Sequence, residues 1–185
     1  MKTLLTAAGA ALFFAFSALA ENWNLINRTD EMTDEVSYIL HTPGTPITVI
    51  EGAVTYTPTL IFRVSASPHD DKPARKDLFF EIETDGIRRG TSTVKIRFDS
   101  APAEDVTVTA STDRRAGFFA NADKLIPKLA KSEHVKLRFV TTLGAVRTTT
   151  FNTSGFSDGI KKIMQSVTQT NTTTKATLKP PSKLR

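Results

Sequence analysis

Thr93-Val94-Lys95-Ile96-Arg97-Phe98 decides the fold, because Val94, Ile96 and Phe98 fall on one side of an extended chain and Thr93, Lys95 and Arg97 on the other. A period of two with one polar face belongs to a half-solvated strand, which antiparallel sheets tolerate and buried parallel sheets do not. Upstream, Leu78-Phe79-Phe80-Glu81-Ile82-Glu83 is expected to pair with it across the connection 84–90. Downstream, Val106 and Val108 continue the alternation. Val36, Tyr38 and Leu40 alternate with Ser37, Ile39 and His41 until the Thr-Pro-Gly-Thr-Pro run at 42–46 breaks the strand. Leu60-Ile61-Phe62-Arg63-Val64 has four apolar residues in five and reads as a central strand covered on both faces. Residues 135–140 and 146–151 form a hairpin around Thr142-Leu143-Gly144-Ala145.

Two stretches carry helical spacing instead. Asp123 is the expected cap of a short helix with Leu125, Ile126 and Leu129 on one face and Pro127 near its fourth position, where the missing N–H costs nothing. Ser157 is the expected cap of a closing helix whose Ile160, Ile163, Met164 and Val167 face the sheet, opposite Lys161 and Lys162. The fold class is therefore mainly β: an antiparallel β-sandwich with one short helix before the last hairpin and a C-terminal helix. No repeat of twenty to fifty residues is visible, which argues against a solenoid or propeller.

Ahead of this domain, residues 1–20, MKTLLTAAGAALFFAFSALA, read as an export signal. Lys2 is the basic start, 4–16 an uncharged apolar run, and Ala18 and Ala20 the small residues that signal peptidase requires. Cleavage after Ala20 leaves Glu21 first and places the chain in the periplasm or outside the cell. No later stretch is apolar for long enough to be a transmembrane helix.

The 24 basic and 19 acidic residues give a net charge of +5. Lys2 and the tail cations Lys175, Lys179, Lys183 and Arg185 account for the whole excess, so residues 21–167 carry equal numbers of each sign. A balanced domain argues against nucleic acid as partner. The Thr/Asn/Lys/Pro-rich segment 168–185 has little to bury and reads as a disordered basic tail, with at most weak, screened contact to an anionic surface. The expected organisation is a signal peptide at 1–20, one domain at 21–167 and the tail.

With no cysteine, disulfides, thiol nucleophiles and zinc thiolates are excluded. His41, His69 and His134 show no metal-binding spacing. His69-Asp70-Asp71 is the one compact cluster of ligand types, within an exposed loop. The carboxylates Glu81 and Glu83 lie two apart on a strand and are expected to face solvent. No nucleophile elbow and no glycine-rich phosphate loop occurs. Catalytic, cofactor and metal residues are accordingly expected to be none. Trp23, the lone tryptophan, is expected to close one end of the core. The sharper surface features are Arg88-Arg89 and Arg114-Arg115, double arginines in turns, where guanidinium groups can take a partner's carboxylate or phosphate bidentately. These four form the candidate partner interface.

Several of these stretches together resemble the VasI/TagO family of exported proteins associated with type VI secretion. They are Trp23 followed by Asp30-Glu31-Met32-Thr33-Asp34, the strand Leu60-Ile61-Phe62-Arg63-Val64, the strand end Ile96-Arg97-Phe98-Asp99 and Ser111-Thr112-Asp113 with Ala116 and Phe118. Val135-Lys136-Leu137-Arg138-Phe139 and the connector Thr150-Phe151-Asn152-Thr153-Ser154-Gly155-Phe156 complete the set, which spans residues 23–167. Family members often carry a cysteine where Val64 stands and another ending the last helix, and this chain lacks both. The resemblance implies an accessory or binding module of the Gram-negative cell envelope, non-catalytic, with an envelope protein or complex as partner. An exported protein of phage or mobile-element origin, acting on the host envelope, is the alternative.

Overall fold

The computed structural model describes residues 22–50, 54–67 and 73–177. Residues 1–20, the cluster His69-Asp70-Asp71 and the last eight residues lie outside them. In chain order come β1 (Asn24–Thr29), β2 (Val36–Pro43), β3 (Ile47–Ile50), β4 (Val54–Tyr56), β5 (Thr59–Ala66) and β6 (Arg75–Glu81). There follow β7 (Thr91–Phe98), β8 (Glu104–Ala110), β9 (Ala116–Phe119), α1 (Ala122–Leu129), β10 (His134–Val140), β11 (Val146–Asn152) and α2 (Phe156–Thr177). Nine strands make one antiparallel sheet in the order β1-β2-β5-β6-β9-β8-β7-β10-β11, and β3 and β4 form a separate pair.

The protein is mainly β and antiparallel, with α1 ahead of the last hairpin and α2 at the C-terminal end. Its two packed layers are flanks of a single sheet that curls until its inner face meets itself. Phe80 on β6 and Phe139 on β10, four strands apart, bring their ring centroids within 5.2 Å. A seam joins the far ends of the curl. Gly44 bridges to Phe151, and the Thr45 N–H donates to the Thr150 carbonyl at 2.9 Å. A Cβ at position 44 would sit 2.4 Å from Thr149 Oγ1, so only glycine lets β11 approach here.

The register explains the core. Leu40, Leu60, Phe62, Phe80, Ile96, Leu137 and Phe139 all point inward and are essentially inaccessible. The Val94, Ile96 and Phe98 face turns in and Lys95 and Arg97 turn out, as the alternation requires. β5 is buried along most of its length between β2 and β6. α2 lays Phe156, Ile163 and Val167 on the inner face, where Phe156 meets Trp23 at 4.8 Å and Phe62 edge-on at 5.7 Å. Trp23 therefore does close one end of the core.

Three local readings change. Residues 78–83 and 93–98 do not pair with each other. β9 and β8 intervene, because the small Ala116-Gly117 step lets β9 lie tightly along β6, with Gly117 directly opposite Phe80. The cap of α1 is Asn121 rather than Asp123, its carbonyl accepting from Lys124 and Leu125, so Pro127 falls at the sixth helical position. α2 begins at Phe156 rather than after Ser157 and runs to Thr177, ten residues past the buried Val167. A helix nucleated on a packed segment propagates cheaply beyond it.

Candidate functional site

The connection between β6 and β7 and the turn between β8 and β9 lie far apart in sequence and side by side in space. The Ile87 N–H donates to the Arg114 carbonyl at 2.7 Å, and the Ile82 N–H to the Arg115 carbonyl at 2.9 Å. The two double-arginine turns are thus laced together at one rim of the sheet. Arg88, Arg89, Arg114 and Arg115 are all exposed, and among the described residues their guanidinium groups form no ion pair. The turn between β10 and β11 joins the same rim, since the Thr142 N–H donates to Gly86 O at 3.1 Å and its hydroxyl donates to Asp85 O.

Ionic contacts hold this rim in shape. Arg147 on β11 donates from Nε and Nη2 to one oxygen of Asp85, at 3.2 and 3.1 Å, and the pair is largely shielded from solvent. Tyr56 lies close by with its hydroxyl buried, and burial, then the Asp85 charge, pushes its ionisation up. Around Arg114, which takes a left-handed φ of 63°, the Ser111 hydroxyl donates to Asp113 Oδ1 at 2.5 Å and the Arg115 N–H to the same oxygen at 3.1 Å. These two hydrogen bonds, the hydroxyl's first, hold the Asp113 carboxyl below the usual carboxylate range.

Beside Arg115 a groove of about 450 Å³ runs over the outer face of β5, β6 and β9. Its floor is Phe79 stacked on Phe118 at 4.7 Å, within a small outer cluster that also holds Ile61, Ala116 and Ile39. Arg63 lies over the Phe79 ring at 5.3 Å and is fixed by Asp77, whose Oδ2 accepts from its Nη2 at 2.7 Å. Glu81, at the end of β6, and Glu83, beyond it rather than on the strand, are both exposed as expected and line the groove with Asp113. Aromatic floor, acidic wall and flanking arginines make a surface that can grip a side chain carrying both an apolar body and a charge.

The sequence located the arginines but missed this floor. Phe79-Phe80 and Phe118-Phe119 held the signal, since neighbours on a strand face opposite ways and each pair must send one ring outward. His41 and His134 belong to different strands, and among the described residues no three His, Cys, Asp or Glu side chains gather as a metal group. Compared with protein-family models, curated proteins and solved structures, the chain matches none of them.

Proposed function

We propose that this protein is an exported, non-catalytic binding module of the Gram-negative cell envelope, working in the periplasm as an accessory to type VI secretion. The observation that carries the binding role is the rim, where two arginine pairs from distant turns are laced together beside an aromatic groove and, among the described residues, form no ion pair. Loops fixed on a rigid sheet are where recognition residues concentrate, and unpaired arginines keep their bidentate donors for a partner. The export signal at 1–20 and the resemblance to VasI/TagO proteins support the compartment and the accessory role.

One experiment addresses both halves of the reading. The full chain is expressed with a photoreactive residue at position 115, cells are fractionated, and the N-terminus and cross-links are identified by mass spectrometry. Expected are a chain beginning at Glu21 in the periplasmic fraction and one discrete cross-linked envelope protein. That adduct should vanish in the Arg88→Glu/Arg114→Glu variant. A chain retained in the cytoplasm with Met1 overturns the compartment, and diffuse cross-linking unaffected by the variant overturns the binding site.

A further inference from the structure

On the outer face of β7 and β10, cations stand directly opposite cations. Register pairs Arg97 with Lys136 and Lys95 with Arg138. Directly opposed like charges destabilise a sheet, and side chains so placed lie about 5 Å apart at Cβ. Among the described residues these four form one ion pair, Lys95 with Asp105 at 2.7 Å, while Arg97 donates to the Asp99 carbonyl and Arg138 to the Thr148 hydroxyl, and the carboxylates of Asp99 and Glu133 share a neighbouring depression with Arg97 and Lys136. All four cations line one shallow depression of about 130 Å³. The domain is neutral as a whole, so this charge is segregated rather than general.

The same face changes character toward the tip of the β10–β11 hairpin. Val140 and Val146 are cross-strand partners on it, exposed by 38% and 61%, and Leu143 at the turn is exposed by 83%. From tip inward the hairpin therefore reads Leu143, then Val140 with Val146, then Arg138 and Lys136. Arg88 and Arg89 flank the tip, because the Thr142 N–H is bonded to Gly86. Exposed aliphatics ahead of a cationic field match a bilayer surface with anionic headgroups: aliphatic side chains enter the headgroup–acyl boundary while the cations meet phosphates. An acidic protein would satisfy the charges and leave Leu143 and Val146 in water.

We propose that the β10–β11 hairpin and the adjoining face of β7 form a docking surface for an anionic lipid bilayer, with Leu143, Val140 and Val146 inserting and Lys95, Arg97, Lys136 and Arg138 on the headgroups. This goes beyond the binding-module reading and does not use the rim's protein partner. A strand advances about 3.3 Å per residue, so the hairpin must lie tilted on the surface for both zones to engage.

The test is co-sedimentation of the chain from Glu21 with vesicles of phosphatidylcholine alone or mixed with phosphatidylglycerol, with melting followed by circular dichroism. Every described residue is retained in that chain. Binding to the anionic vesicles is expected to fall about tenfold or more in Lys136→Glu/Arg138→Glu and about tenfold in Leu143→Ser/Val146→Ser. Leu143→Ser/Val146→Ser should leave melting unchanged, and the charge reversal, which turns two like-charge cross-strand pairs into opposite-charge ones, should not lower it. Charge reversal of Lys175, Lys179 and Lys183 should alter binding about twofold at most, which separates the hairpin from the tail. Binding insensitive to the hairpin variants, binding lost only with the tail charges, or no binding overturns the proposal. Dependence on Lys136 and Arg138 without dependence on Leu143 and Val146 overturns insertion and favours an acidic partner.

Discussion

Over β5, β6 and β9 the outer face of the sheet carries Ile61, Phe79 and Phe118, and over β7 and β10 the same face carries Lys95, Arg97, Lys136 and Arg138. The register runs unbroken between them, from Ile61 through Phe79, Phe118, Thr109 and Thr91. The inner face hardly distinguishes the two halves, since both send in large aliphatic and aromatic side chains. Backbone geometry is therefore not what separates them. One half covers its outer surface with a second, smaller apolar cluster, and the other leaves its outer surface wet and charged.

The sharpest test of that contrast compares neighbouring phenylalanines. Phe80 is wholly buried inside, against Phe119 and Phe139, whereas Phe79 stacks outside on Phe118 under Arg63. Phe80→Ala should cost about 3–5 kcal/mol in urea unfolding, from lost transfer energy and the cavity left behind. Phe79→Ala should cost about 2 kcal/mol, because its surroundings can collapse or fill with water. Equal losses would mean that the outer cluster is a second core and the groove floor a structural device.

A smaller effect is expected where β9 joins the halves. A Cβ on Gly117 would meet Phe80 Cε1 at 2.6 Å and Cζ at 2.9 Å, so Gly117→Ala should cost about 1–3 kcal/mol. Pairing it with Phe80→Leu should recover part of that loss, since the two substitutions share one space. If the double variant is instead simply additive, the close packing of β9 on β6 is not what seats it between the halves.

How legible each half was follows from the same difference. The period of two in 93–98 and 135–140 belongs to strands with one wet face, and which side of each meets the core could be read directly. Residues 60–64 and 78–82, apolar on both faces, showed burial but not what covered each side. Pairing was harder still. The chain order suggested that residues 78–83 pair with 93–98, whereas a steric fact decided it, the absence of a side chain at Gly117. β1 gave no pattern because all six of its residues are exposed, and its pairing with β2 supplies the order instead. The arginine turns stood out by composition. Their convergence needed the Ile87 to Arg114 hydrogen bond, which no local pattern encodes.

The charged half offers the smallest effect and the most direct statement about what its surface is for. Lys136 faces Arg97 across the ladder and has no ion-pair partner among the described residues, so Lys136→Thr removes a repulsion. It also brings in a β-branched residue opposite Thr150. Stability should rise by about 0.5 kcal/mol at low ionic strength, and the gain should shrink in 1 M salt, where the Debye length is about 3 Å. Lys95→Thr is the control, since it removes a repulsion and the Asp105 pair together and should come out near neutral. A gain at position 136 with none at 95 would mean that the sheet carries this cation at a cost to its own stability, which is the condition expected of a residue whose partner lies outside the chain. A loss at position 136 would instead make the lysine stem part of the packing, and the contrast between the two halves would then rest on the apolar side alone.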